Sequence, residues 1–324
     1  MVWKKIGMRE YPLVSIIIIT YNDRKYGGEA IESALAQTYK DYEIIVVDDG
    51  SADNTSEVLA EFGDQVTVIY QENRGLSAAC NTGIRASKGE YVAFLDADDV
   101  WMPAKLEKQV PLFERNKRVG LICSDILFFD ESGDRSSTAF ETNRPQSGMI
   151  HSVIFILSFM PMPTVMVRRS CFDDVGYFDE TLTSCEDHDM WLRISKKWAV
   201  DFVNEPLAKY RDSANQMHNN PARMLSNLIR VQEKAFAESP ELRQLDQDTL
   251  DRCFYDLYLQ LSRVYLKKGR RSEAMSVLGQ YAQARGRTFR YWQTWLASCT
   301  PRWLLNLVLA TRRHIRSLWQ PAAL

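Results

Sequence analysis

Six cysteines are scattered through the 324 residues (Cys80, Cys123, Cys171, Cys185, Cys253 and Cys299), and no two stand in a C-x-x-C spacing. That argues against a disulfide framework or a structural zinc site and makes a reducing cytoplasm the expected compartment. No G-x-G-x-x-G follows the first apolar run, and no G-x-x-x-x-G-K-[ST] occurs anywhere. Dinucleotide oxidoreductases and P-loop NTPases are therefore set aside. Nor does any run reach the roughly 18 to 20 uninterrupted apolar residues of a spanning helix. Val153 to Val167 comes nearest, and Pro161 and Pro163 break it. The apolar run Val14 to Ile19 is short and leads straight into Thr20-Tyr21-Asn22-Asp23, which reads as strand then loop and not as a signal peptide. A net charge of −2 implies no general attraction to nucleic acid.

What is present is an alternation. Val14–Ile19, Tyr42–Val47, Val66–Tyr70 and Tyr91–Leu95 read as strands, with helices at Gly28–Gln37, Asn54–Phe62 and Leu76–Ala86 between them. Short β-rich runs separated by helices predict an α/β fold, a Rossmann-like doubly wound and mostly parallel sheet. Beyond residue 116, Val119–Phe129 and Thr164–Arg168 read as strands, Asp130–Gln146 as a polar loop and Asp189–Lys197 as a helix. After Asn219 the spacing is helical throughout, including a hairpin around Gly269 that by itself does not make a repeat array.

Acids gather where the strands end. Val92-Ala93-Phe94-Leu95 runs into Asp96-Ala97-Asp98-Asp99, three carboxylates in four residues, at the kind of strand end where open α/β sheets hold ligands. Such crowding is costly unless a cation offsets it, and a hard divalent ion completed by phosphate oxygens would do so. A solvated turn would explain one Asp, but explains D-A-D-D poorly. The second strand ends in Asp48-Asp49-Gly50-Ser51, where a tight turn and helix cap account for Gly50 and Ser51. Asp49 remains the candidate to accept hydrogen bonds from a base or ribose.

Four ordered segments carry a resemblance. Ser15-Ile16-Ile17-Ile18-Ile19-Thr20-Tyr21-Asn22, Val46-Val47-Asp48-Asp49-Gly50-Ser51, Asn73-Arg74-Gly75-Leu76-Ser77-Ala78-Ala79-Cys80-Asn81-Thr82-Gly83 and Phe94-Leu95-Asp96-Ala97-Asp98-Asp99 resemble the successive motifs of family 2 glycosyltransferases. These are inverting enzymes of the glycosyltransferase A-type fold, and the likeness spans about residues 12 to 215. Cys80 departs from it, since the family more often has Arg before that Asn.

The resemblance implies a UDP-sugar donor whose uracil and ribose meet Thr20, Tyr21 and Asp49, with Asn73 and Asn81 nearby. Asp96 would lie by the ribose, and Asp98 would bind Mn²⁺ or Mg²⁺ at the diphosphate. Arg24, just past the first strand, is a further donor candidate, although a loop Arg is more often only solvated. His218 follows Tyr210-Arg211 where related enzymes often carry a metal-binding His, and is a second metal candidate.

Cys185-Glu186-Asp187-His188-Asp189-Met190-Trp191-Leu192-Arg193 resembles the acidic motif and helix of the same family. Inversion needs one base to take the acceptor hydroxyl proton. Asp187 is the expected base, with Glu186 contacting the acceptor or the donor sugar. A helix-start acid favoured by the dipole is the plainer account of Asp187. Asp189 and Arg193 form a structural i, i+4 pair, Trp191 belongs to the core, and His188 is structural.

No Asp or Glu follows Glu273, whereas seven arginines do, among Trp292, Trp295, Trp303 and Trp319. A helix of that composition suits an anionic membrane interface, the plainer account being a helix packed on the domain. The expected organisation is a nucleotide-sugar-binding half (1–115), an acceptor half (116–218), a helical extension (219–285) and a basic, Trp-rich amphipathic tail (286–324). A glycan or lipid-linked glycan is the expected acceptor, in cell-surface polysaccharide synthesis at the cytoplasmic face of the membrane. A sugar nucleotidyltransferase would carry a Gly-rich basic loop after the first strand, where this chain has Tyr21-Asn22-Asp23-Arg24-Lys25. A non-catalytic scaffold built on the helical extension would have lost its acids, and this chain keeps them.

Overall fold

The computed structural model describes residues 13–157, 159–212 and 220–299. The chain forms two compact units, one holding residues up to 219 together with 230–244, the other 220–229 together with residues from 245 on.

The first unit is built on nine strands: β1 Val14–Thr20, β2 Tyr42–Asp48, β3 Thr67–Tyr70, β4 Tyr91–Asp96, β5 Val100–Trp101, β6 Val119–Asp130, β7 Gly133–Thr138, β8 Met166–Arg168 and β9 Ala199–Arg211. They pair in the order β3-β2-β1-β4-β8-β6-β9-β5, with β7 on β6. The stretch β3-β2-β1-β4 is parallel throughout, as the strand–helix alternation requires. Beyond β4 the sheet turns mixed: β8 runs antiparallel between β4 and β6, and β6 pairs parallel with β9.

The helices of this unit are α1 Gly27–Leu35, α2 Thr55–Ala60, α3 Leu76–Ala86, α4 Lys105–Arg115, α5 Ala139–Thr142, α6 His151–Ile156, α7 Ser170–Val175, α8 Glu186–Ser195, and α9 Pro221–Glu238 from Arg230 onward. Side chains of β1 alternate across the sheet. Ile16 and Ile18 join Ile44, Val46, Ala93, Leu95 and the Ala30, Ile31 and Ala34 face of α1 in one core. Ile17 points the other way, against α3, so closely that a Cβ on Gly83 would lie 2.4 Å from its Cγ2. With both faces covered, β1 and β4 at the centre of the parallel stretch are almost uniformly apolar.

Three elements correct the sequence expectation. Asp130–Gln146 is not a plain loop, because Gly133–Thr138 pairs back on β6 as β7 and a helical turn follows. The polar alternation of that hairpin hides in a hydrophilic stretch. Strand β9 had no signal of its own. Its Pro206 and charged residues interrupt the apolar pattern, and the ladder to β6 shifts register between Ser124, Asp125 and Ile126, with Pro206 opposite Asp125. A bulge is where a sheet tolerates proline. Finally, α8 begins at Glu186, three residues before the expected start.

The second unit is helical: the first part of α9, α10 Gln247–Leu250, α11 Asp256–Lys267, α12 Arg271–Arg285 and α13 Phe289–Cys299. The α11–α12 hairpin turns at Gly269, whose φ of 76° lies in the left-handed region glycine adopts most readily. Leu257, Leu261, Ala274, Val277, Leu278 and Tyr281 are buried in it, as the apolar spacing predicts. Among the described residues no helix is long and apolar enough to cross a membrane.

Candidate active site

Loops after β1 and β2 are stitched together at the carboxyl end of the parallel strands. The Asp49 amide donates to Thr20 O (3.0 Å). Asn22, held at φ 58°, accepts from the amides of Ala52 (2.8 Å) and Asp53 (3.3 Å), while its own amide donates to Ser51 Oγ (2.9 Å). Asn tolerates that left-handed backbone better than most residues. Gly50 at φ 80° brings the turn against the next loop, where a Cβ would sit 2.7 Å from Asn73 N.

Asp49 organises that next loop. Its oxygens accept from Gln71 Nε2 (2.7 Å) and the amides of Arg74 (3.0 Å) and Gly75 (2.8 Å). A carboxylate offers about four acceptor positions, so three are committed before any ligand arrives. Asp48 closes its own turn by accepting from the Ser51 amide (2.8 Å).

The other wall is α8. Trp191, fully buried, packs against Phe94 of β4 (6.4 Å) and Phe178 (6.2 Å) and donates its indole N–H to Met160 O (3.0 Å). Packing Trp191 on the strand that ends at Asp96 brings the first turn of α8, with Glu186 and Asp187, to the same carboxylates. Burial holds the Asp96 carboxyl well above the usual range, reinforced by Asp98, Glu186, Asp187 and Asp23. Asp187 is pushed up to about 6 by burial, against the His188 amide that donates to its Oδ1 (2.7 Å). Asp23 likewise rises to about 6, through burial and then the charges of Asp98 and Asp53. The helix enters through Cys185, at φ 62° one of two described non-glycine residues in the left-handed region.

Arg211, the last residue of β9, fastens the D-A-D-D turn. Its amide donates to Asp99 Oδ1 (2.9 Å) and its Nε to Asp98 O (2.7 Å). The guanidinium pairs with Glu29 and lies over the rings of Tyr26 (4.0 Å) and Phe129 (4.3 Å). Burial raises the Tyr210 hydroxyl pKa, and Asp99, Asp96, Asp98 and Asp187 add to it, so this phenol shares the acidic pocket.

The expected residues divide accordingly. Asp96, Asp98, Glu186 and Asp187 come together. Thr20 is buried at the end of β1, and its Oγ1 finds no hydrogen-bond partner among the described residues. Tyr21, Arg24 and Asn73 are exposed on the loops around it.

Asn81, expected near the donor, has both of its amide atoms committed to protein partners. It is buried, its Nδ2 donates to Phe178 O and Glu180 Oε1 (3.0 Å each), and its Oδ1 accepts from the Phe178 amide (2.9 Å). His218 lies outside the described residues. The supposed structural residues hold: Arg193 pairs with Asp189 at 2.8 Å, and buried His188 is driven down to about 4 by burial. Asp23, Tyr210 and Arg211 were missed as site residues. Adjacency to Tyr21-Asn22 was the available signal for Asp23, and the other two sit on the strand the sequence concealed.

Known proteins resemble this chain in sequence and fold. The family model described as glycosyl transferase family 2 matches residues 15–176. An uncharacterized glycosyltransferase of Nostoc is 46% identical over 261 residues, 77% of this chain and 79% of that protein. One from Rickettsia prowazekii is 37% identical over 217 residues, 66% of this chain and 68% of that protein. Among solved structures, Staphylococcus aureus TarS 1–349 in complex with UDP superposes with a TM-score of 0.62 at 20% identity, covering 84% of this chain and 80% of that one. The Pyrobaculum calidifontis mannosyltransferase PcManGT, in complex with GDP-Man and Mn²⁺, gives 0.59 at 19% identity, covering 96% and 82%. Both share the glycosyltransferase A-type fold. The chain belongs to glycosyltransferase family 2, and it is an enzyme of that family.

Proposed function

We propose that this glycosyltransferase works with inversion and with a divalent cation, moving a sugar from a UDP-sugar to a hydroxyl of a glycan or lipid-linked glycan. The observation that carries this reading is the meeting of Asp96 and Asp98, at the end of β4, with Glu186 and Asp187, in the first turn of α8.

The cation fits the chemistry of the donor set. Carboxylate oxygens suit Mn²⁺ or Mg²⁺, and desolvated acids that raise one another's proton affinity gain from positive charge. Among the described residues no three His, Cys, Asp or Glu side chains converge into a ready ligand cage. That agrees with a site in which Asp98, with Asp96 beside it, supplies few ligands and the donor's phosphates supply the rest. When bound, such an ion offsets charge developing on the leaving diphosphate. The Mn²⁺ in the PcManGT complex supports the assignment.

Donor recognition falls to Thr20, Tyr21 and Asp49, with Asn73 and Arg24 at the rim. The buried, unpaired Thr20 hydroxyl supports this, because such a group ordinarily has a partner. Asp187 takes the acceptor hydroxyl proton as the acceptor oxygen bonds to the anomeric carbon and the bond from that carbon to the diphosphate breaks on the opposite face. Its raised pKa keeps it near the range useful to a general base. Glu186 contacts the acceptor, and carboxylates beside the ring favour the positive charge of the transition state. The wider reading keeps residues 1–115 for donor, 116–218 for acceptor and 286–324 for contact with an anionic membrane, in cell-surface polysaccharide synthesis.

The test is release of nucleotide diphosphate from a panel of nucleotide sugars, with Mn²⁺ and in EDTA, for wild type and Asp98→Asn. Release from UDP-sugars, abolished by EDTA and by the substitution, is expected. Full activity in EDTA would remove the cation from the reaction, and preference for a GDP-sugar would overturn the choice of base.

A further inference from the structure

Helix α13 of the second unit has two unlike faces. Tyr291, Thr294 and Ser298 are buried at helical spacing. Tyr291 stacks on Tyr281 of α12 with centroids 6.2 Å apart, and Thr294 Oγ1 accepts from Arg263 of α11 (3.3 Å). That face is spent on the bundle. On the opposite side Phe289, Trp292 and Leu296, again at i, i+3 and i+7, stand 77%, 41% and 58% exposed. Single exposed apolar residues are ordinary. Three large ones aligned along one face, two of them aromatic, form a patch of the kind that meets a partner.

The charges around the patch identify the partner. Among the described residues after Glu273 none is acidic, whereas Arg285, Arg287 and Arg290 are basic. Two acids of the bundle are already neutralised, Asp251 by Arg285 and Asp256 by Arg290. Exposed Arg287 lies over the Trp292 ring at 6.0 Å. A second copy of the same arginine-flanked face would be repelled, whereas anionic lipid headgroups would not. Large apolar side chains with arginines beside them are what a helix in the plane of an anionic interface requires.

We infer that the Phe289–Trp292–Leu296 face of α13 docks on an anionic lipid bilayer, with Arg287 among the headgroups. This deepens the membrane contact proposed above by assigning it to one helix face, and it stands or falls separately from the transfer reaction.

The experiment uses the full chain with sucrose-loaded vesicles, either of equal phosphatidylglycerol and phosphatidylcholine or of phosphatidylcholine alone. Wild type is expected to cosediment with the anionic vesicles at low salt, and less so as salt screens the arginines. F289S/W292S/L296S should lower that partition by about tenfold or more, because binding scales with buried apolar area. Its release of nucleotide in vesicle-free solution should be unchanged and its melting temperature should fall only slightly, since Phe289 and Leu296 are exposed and Trp292 gives up edge contacts with Tyr291 and Trp295. R287Q should weaken binding to anionic vesicles less than the triple variant. If the triple variant sediments like wild type, or wild type ignores anionic vesicles, the inference is overturned. It is equally overturned if wild type is a dimer that the triple variant splits. Loss of nucleotide release in wild type would instead count against the reading of the active site.

Discussion

Replacing Arg211 by alanine should cost more stability than any surface charge in the protein. Arg211 is buried, and its guanidinium donates to Asp98 O at 2.7 Å while covering Tyr26 and Phe129 at 4.0 and 4.3 Å. A hydrogen bond from a charged donor contributes about 1.5–3 kcal/mol. The two ring contacts add about 0.5–1 kcal/mol each. The pair with Glu29 adds at most about 1 kcal/mol, because the Glu29 side chain is half exposed and solvent screens it. Discounted for non-additivity, the loss is about 3–4 kcal/mol. The backbone bond from residue 211 to Asp99 survives the substitution, so β9 should still pair. The D-A-D-D turn should loosen, and UDP-sugar affinity should fall along with stability. Urea unfolding of wild type, R211A and R211K separates the contributions, with lysine recovering charge but not the planar stack. A loss below about 1 kcal/mol for R211A would refute the claim that this residue anchors the turn.

Asp187→Asn should cut transfer by roughly 10² to 10⁴ with UDP affinity near wild type, read from single-turnover rates and UDP titration; parallel loss of binding would make Asp187 a donor ligand. Because Asp187 acts as carboxylate and its pKa lies at about 6, kcat/KM should climb as pH rises through that value, and a flat profile from pH 5 to 7 would exclude it as the titrating base. Asn81→Ala leaves the Phe178 amide and carbonyl unpaired, so stability should drop by about 2–4 kcal/mol in urea unfolding while the folded protein binds UDP normally. Gly89→Ala would set a Cβ 2.5 Å from Ser15 N, backbone that cannot swing aside, and should destabilise by about 1–3 kcal/mol; no change would mean β1 and the loop before β4 can part.

The first hundred residues show how far pattern alone reaches. Four apolar runs with helices between them set four parallel strands, because β1 and β4 bury both faces and each crossover must span the sheet. The acids of the D-A-D-D motif were legible for the same reason: a strand that ends in carboxylates puts them at the ligand edge. Trp191 and the Asp189–Arg193 pair followed from helical spacing.

What the sequence could not decide depends on neighbours. Asn81 sits in a motif that reads as donor contact, yet the Phe178 backbone, 97 residues away, takes its amide. Strand β9 carries proline and charge, and exists because β6 offers it a ladder with a bulge where Pro206 falls. Glu186 and Asp187 reach Asp96 only because Trp191 packs on Phe94. Periodicity is a property of local chain geometry and survives in a string of letters. A shared pocket of carboxylates is a property of tertiary packing, since burial and distance, which raise those proton affinities, have no value until the strands and helix are assembled.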